Sequence, residues 1–294
     1  MTTLTETRVD EMSFTSPKPK RRIPWGSIVS AILLSLGAVV MIAPFMWIIQ
    51  AAFGETARAF VLPPRWLPAN PSLENFESVF EQVPYGMFMF NSVKIAVIVT
   101  LGQLITCSTA AYAFARLEFR GKNVLFMLLI SALMIPGQVT LVPLFIVMRQ
   151  LGLYNTHAAL ILPALINPFG VFLLRQFFMT IPKDLEDAAR VDGANVFTIY
   201  WRIILPLSGP ILTTLAILTF VTMWNSYFLP LIMINDPELQ VLTVGLTLLR
   251  GQYGAGALGP IAAALAMAIV PVLVVFLMLQ KYIIKSIVST GIKG

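Results

Sequence analysis

The sequence predicts an all-α polytopic membrane protein with six transmembrane helices. Three observations carry this prediction. Hydrophobic residues make up 57% of the 294 and charged residues only 12%, about half the ~25% charged share of a soluble domain. Mean hydropathy is +0.83. The charge also collects in short segments between long uncharged runs, and none of those runs alternates with the period of a barrel strand. An ordinary soluble enzyme, a disordered chain and a DNA-binding domain are excluded, so the pI of about 9.6 is read as membrane orientation and not as nucleic-acid binding.

A bilayer core of about 30 Å needs roughly 20 apolar residues in a helix. Six stretches qualify: 27–53, 91–115, 124–148, 158–178, 211–234 and 261–279. The fourth is interrupted by Pro163, Asn167-Pro168 and Gly170. The first follows Lys18, Lys20, Arg21 and Arg22, but it is too long for a signal-peptide core and no clear small-residue cleavage site follows it. It reads as a retained span. Residues 1–24, rich in Thr, Ser, Pro and charge, read as a disordered cytoplasmic tail, and 25–294 as one six-span domain.

Orientation follows from the cations. The N-terminal tail, the second-to-third loop, the fourth-to-fifth loop and the C-terminus hold fifteen of the 20 Lys and Arg. The opposite side holds Arg58, Arg65, Arg149 and Arg250, and Lys94 snorkels from the outer end of the second span. Both termini are therefore predicted to be cytoplasmic. The longest external connection, Gly54 to Met87, carries Pro63-Pro64, Trp66, Pro68, Pro71 and a short helix around Glu74, Glu77 and Glu81.

None of the 14 acids lies inside a span, which argues against an ion-coupled transporter with an ionisable site in the membrane. No G-x-x-x-x-G-K-[ST] phosphate loop is present: Arg116 stands where the first glycine would precede Gly121-Lys122, and Asn123 follows. One cysteine, Cys107, and one histidine, His157, make no metal cluster. Helix breakers do abound in the apolar runs, at Pro44, Pro136-Gly137, Pro143, Pro163, Pro168, Pro230 and Pro271. Backbone groups freed there need partners in neighbouring helices or a wet cavity, which suits a moving pathway better than a passive anchor.

The loop 181–206 is the most informative segment. Pro182 suits a helix start, Asp184, Glu186 and Asp187 load the positive end of the dipole, and Arg190 the negative end. Gly193 is placed for a left-handed C-cap and Asn195 for the N-cap of a second helix. Phe197, Tyr200, Trp201 and Ile204 then fall on one apolar stripe, and Pro206 closes the segment. Such a bent helix pair either lies on the membrane surface or inserts as a knob into a partner's groove.

The segment resembles the EAA loop of ABC importer permeases. Asp187-Ala188-Ala189 occupies the E-A-A positions, Asp192-Gly193-Ala194 the D-G-A that follows, and Ile203-Ile204-Leu205-Pro206 the closing I-x-L-P. Asp187 keeps the charge of the usual glutamate with a shorter reach. From about Pro24 to the C-terminus the chain is similar to the carbohydrate class of these permeases, of the maltose MalG type, with supporting stretches that include Ala111-Tyr-Ala-Phe-Ala-Arg116 and Leu173-Leu-Arg-Gln-Phe-Phe178. Where the family often has an acid after Trp224-Asn225, Ser226 stands instead.

The resemblance implies the type I ABC importer permease fold and a transport subunit, not an enzyme. It also implies the partners: a second permease subunit, two cytoplasmic ATPase subunits that use ATP and Mg, an extracytoplasmic sugar-binding protein, and the inner membrane of a prokaryote. This chain itself is expected to bind no cofactor. Asp187, Ala188, Ala189, Asp192, Gly193, Ala194 and Pro206 would carry the ATPase coupling. Gln138, Asn167, Trp224, Asn225 and Tyr227 are candidates for a pathway that takes a neutral sugar. The alternatives are an importer of the same architecture for glycerol-3-phosphate or another polyol derivative, and an ion-coupled secondary transporter.

Overall fold

The computed structural model describes residues 25–54, 70–253 and 258–291. The predicted tail and the Pro63-Pro64, Trp66 and Pro68 part of the external segment lie outside the described residues. Among the described residues the regular structure is entirely helical. Four helices are long and apolar enough to cross a membrane, or six if each of two bent pairs is one span. Residues up to Met46 form one compact unit and residues from Trp47 a second.

Helix α1 (Trp25–Phe53) supplies the first unit and continues through Pro44 into the second. Ile32, Leu33, Leu34, Val39 and Met41 are all exposed. A helix that is apolar all round suits a lipid environment.

In the second unit α2 (Glu74–Gln82) is the short helix expected around Glu74, Glu77 and Glu81. Its buried Asn75 donates to the Ala52 and Gly54 carbonyls at 3.0 and 2.7 Å, tying it to the end of α1. Helix α3 (Tyr85–Arg116) starts six residues before the predicted second span and contains no proline.

The predicted third span is bent at the Pro136-Gly137 breaker. It comprises α4 (Lys122–Ser131) with a 3-10 turn to Met134, then α5 (Gly137–Gln150), bent by 104°. Pro136 bars its preceding residue from the helical region, and Ile135 is accordingly extended. The fourth span forms as α6 (Ala158–Ala164) and α7 (Pro168–Thr180), with the break at Asn167-Pro168 where the sequence placed it.

The loop then contributes α8 (Asp184–Val191), α9 (Val196–Ile199), a π-turn over Tyr200–Ile204 and α10 (Leu205–Leu207). The predicted fifth span needs correction: α11 (Gly209–Trp224) stops at Asn225, and α12 (Phe228–Met233) begins after a break. The break is stable because Thr243 takes the freed Ser226 carbonyl at 2.6 Å. Thr243 lies on α13 (Leu242–Tyr253), a helix the hydropathy pattern did not reveal. Helix α14 (Leu258–Gly291) runs past the predicted end of the sixth span.

Helix α3 packs along α7 and α11 and touches α13. Buried side chains form three clusters along it. One lies around Phe88, Phe220, Trp224 and Leu249, a second around Cys107, Leu174, Phe178, Tyr200 and Leu215, and a third around Val99, Leu160 and Met233.

His157, just before α6, donates from Nε2 to the Leu239 carbonyl at 2.9 Å. Burial holds its pKa below the ordinary imidazole value; the Leu239 hydrogen bond opposes this and the Lys94 charge adds to it. As pH falls, the unfolded chain therefore takes up the proton first. This contribution to stability is complete above the ordinary imidazole range and is lost as pH falls through the lowered value. The thermal midpoint of the detergent-solubilised protein should drop from about pH 7 to about pH 5, and His157→Gln should flatten that slope. An unchanged slope in the variant would refute the assignment.

Candidate functional site: the cytoplasmic loop and the broken spans

Local chemistry fixes the shape of the loop. Asp184, Glu186 and Asp187 occupy the first turn of α8 and Arg190 the last. Gly193 takes φ +83°, and the Gly193 and Ala194 amides donate back to the Arg190 and Ala189 carbonyls at 3.0 and 2.9 Å. This pair of bonds is the Schellman motif. Asn195 Oδ1 then accepts from the Thr198 amide at 2.8 Å, capping α9 as its position predicted. Pro206 does not end the segment; the helix continues to Leu207.

The loop has two faces. Glu186, Ile199, Tyr200 and Ile204 point inward and are buried. Val191 and Phe197 are 88% and 68% exposed, with Leu185 and Trp201 about half exposed beside them. The predicted single stripe is thus split: Tyr200 and Ile204 enter the core, and Phe197 and Trp201 face outward as an edge-to-face pair at 6.0 Å. Asp187, Ala188, Asp192, Gly193 and Pro206 are exposed, while Ala189 and Ala194 are half-buried. Arg190 pairs with Asp187 at 3.3 Å.

Sequence reasoning missed the inward anchors. Glu186 meets Arg116 at 2.8 Å, with side chains 4% and 3% exposed, and Tyr200 meets Ser108 at 2.7 Å. No signal in the loop itself separates Glu186 from Asp187; the partner that does so, Arg116, lies at the end of α3.

The five pathway candidates are dispersed. Gln138 is exposed in the first turn of α5. Asn167 caps α7 by accepting from the Gly170 amide at 3.1 Å, and it donates to Gln103 at 2.9 Å. Trp224 is 5% exposed and stacked on Phe220, so it offers no ring face to a ligand in this structure. Asn225 is exposed and donates to the Val221 carbonyl at 2.8 Å. Tyr227 is half-buried against Phe228. The nearby cavity, lined by Ser92, Met223 and Ser226 among others, has about 30 Å³, which is room for a water and not for a sugar ring.

Gln103 was not anticipated either, although an amide within an apolar run always needs partners. Its Nε2 donates to the Ala164 carbonyl at 2.6 Å, and its Oε1 accepts from Asn167 and from Thr219 at 2.8 Å. Thr106 takes the Leu165 carbonyl at 2.6 Å. The backbone freed between α6 and α7 is satisfied from α3.

Comparison with known proteins follows from this architecture. The family model described as the inner membrane component of binding-protein-dependent transport systems matches residues 103–289. The chain belongs to that family. A probable ABC transporter permease, YurM of Bacillus subtilis (strain 168), is 36% identical over 283 residues, covering 94% of this permease and 92% of the relative. The arabinooligosaccharides transport system permease AraQ of Halalkalibacterium halodurans is 37% identical, covering 77% and 81%. The sulfoquinovosyl glycerol transport system permease SmoH of Agrobacterium fabrum is 35% identical, covering 96% of each chain. A crystal structure of a bacterial ABC transporter that imports the acidic polysaccharide alginate aligns with TM-score 0.76 and 25% identity, over 91% of the permease and 99% of that chain. The permease is a multi-pass membrane subunit of an ABC transporter and not itself an enzyme.

Proposed function

We propose that the permease is one of two transmembrane subunits of an ATP-driven importer that carries an oligosaccharide or disaccharide across a prokaryotic plasma membrane. Both termini face the cytoplasm, the side marked by fifteen of the 20 Lys and Arg. An extracytoplasmic binding protein delivers the sugar, and two cytoplasmic ATPase subunits bind ATP and Mg and receive the loops. The observation that carries the reading is the outward face of the loop, where Val191 and Phe197 stand 88% and 68% exposed beside Asp187 and Asp192. Apolar side chains this exposed at a helix bend suit insertion into a groove. Closure of the ATPase pair would draw the loops together and open the pathway outward, and hydrolysis would reverse it.

A sugar cargo is supported by the oligosaccharide and glycoside relatives and by an acid-free set of spans. A glycerol-3-phosphate permease of Yersinia enterocolitica is also similar, at 28% identity. Titrating the partnering binding protein with a panel of sugars and glycerol-3-phosphate separates the two. Membership of a binding-protein-dependent family leaves the ion-coupled reading without support.

Docking is tested by Val191→Asp and Phe197→Asp. Removing one buried large apolar side chain costs about 1.5–3 kcal/mol, which is a tenfold or greater loss of affinity. Retention of the ATPase subunits on the purified permease pair should fall accordingly with insertion unchanged. Retention at the parent level by both variants would overturn the docking face.

A further inference from the structure

We propose that Arg116 is the positioning residue that makes the coupling loop move as one body with α3. The inference rests on the coupling reading of the loop and goes beyond it by naming the joint. Arg116 is the last residue of α3. Its Nε meets Glu186 Oε1 at 2.8 Å, and its Nη2 donates to the carbonyls of Phe178, at 2.6 Å, and Ile181, where α7 ends. One guanidinium therefore joins α3, the end of α7 and α8.

Helix α8 has eight residues, and Glu186 is the one that is buried. The one fully buried side chain of α8 is thus the one paired with Arg116, and Ala189 packs half-buried against the core on the same helix. Removing two ions from water is costly, so an apolar pair of similar volume often gives equal or greater stability. What an apolar pair cannot supply is direction. The Glu186 contact is an ion pair without hydrogen-bond alignment. The guanidinium is itself fixed by the two carbonyls that Nη2 holds at the end of α7, and so keeps a positioned charge against which the one buried carboxylate of α8 is oriented. The second half of the loop is held by the same helix: Tyr200 hydrogen-bonds Ser108, and its ring lies 5.2 Å from that of Tyr112. Force entering at Val191 or Phe197 is thereby delivered to α3 and not dissipated in the loop.

The test uses the complete assembly in nanodiscs, with Cys107→Ala removing the native thiol. Spin labels are placed at Lys183→Cys in the loop, at the N-cap of α8, and at Met87→Cys at the other end of α3. The distance distribution is recorded without nucleotide and after trapping with ATP and vanadate. In the parent it should keep the same mean and width in both states. Arg116→Met alone buries an unpaired carboxylate and can fail to fold, so the decisive variant is Arg116→Met with Glu186→Met. That variant should still retain the ATPase subunits, yet its distribution should shift and broaden on trapping. Arg116→Lys keeps the charge without the planar guanidinium that is held at the end of α7, and should fall between the two. A parent distance that changes on trapping, or a double variant as narrow and nucleotide-insensitive as the parent, would overturn the joint. Failure of the parent to retain ATPase subunits would instead refute the coupling reading itself.

Discussion

Gly193→Pro is expected to abolish ATP-driven sugar uptake while the protein remains inserted in the membrane. Gly193 sits at φ +83°, and proline is locked near −65°. Proline also lacks the amide that donates to the Arg190 carbonyl at 3.0 Å. The Schellman closure would be lost, and with it the angle between α8 and α9. Gly193→Ala should be milder. Nothing lies within 4 Å of a Cβ built at Gly193, so the cost is the left-handed strain alone, about 1–2 kcal/mol. Uptake of labelled sugar by whole cells, set against permease abundance in the membrane fraction, checks both. Normal uptake by the proline variant would sink the idea that this bend transmits force.

The second large effect is expected from Gln103→Leu. The replacement keeps most of the volume and removes three hydrogen bonds at once, to Ala164, Asn167 and Thr219. Each buried group left unpaired costs about 1–3 kcal/mol, though hydrogen bonds between membrane helices are often nearer 1. A loss of about 2–4 kcal/mol is expected on these grounds, read as a lowered thermal midpoint in detergent. Asn167→Ala should cost less, because it loses the α7 cap and one amide bond while Gln103 keeps Thr219 and Ala164. Equal midpoints for Gln103→Leu and the parent would show that water or a shifted backbone replaces the amide.

Much of the fold was legible because lipid imposes simple rules. Apolar runs must be helices, and proline pairs with its predecessor to break them, as at Ile135-Pro136 and Asn167-Pro168. Gly193 and Asn195 were legible because each acts on its own backbone. The less readable features depend on residues distant in sequence. No local signal fixes the 104° bend between α4 and α5. The break after Trp224 contains no proline and relies on Thr243, about twenty residues downstream. Phe197 and Tyr200 both suited an apolar stripe, and only the packing of Tyr200 on Ser108 and Tyr112 decides which one enters the core. Glu186 and Asp187 are neighbours of like charge, and what separates their roles is Arg116, seventy residues earlier.

Helix α3 also has a mechanical meaning. Near one end Asn91 donates to the Glu238 and Gln240 carbonyls at 2.9 and 3.0 Å; at the other, Arg116 clasps the loop. The 25 residue steps from Asn91 to Arg116 form an unbroken rod of about 38 Å at 1.5 Å per residue. The span packed beside it is broken between α6 and α7, and α11 stops at Asn225; α3 runs on without a break. A rod clamped at both ends transmits displacement without absorbing it. The turn at 237–240 should therefore register nucleotide-driven strokes of the loop with little attenuation, as the far end of a pushrod does.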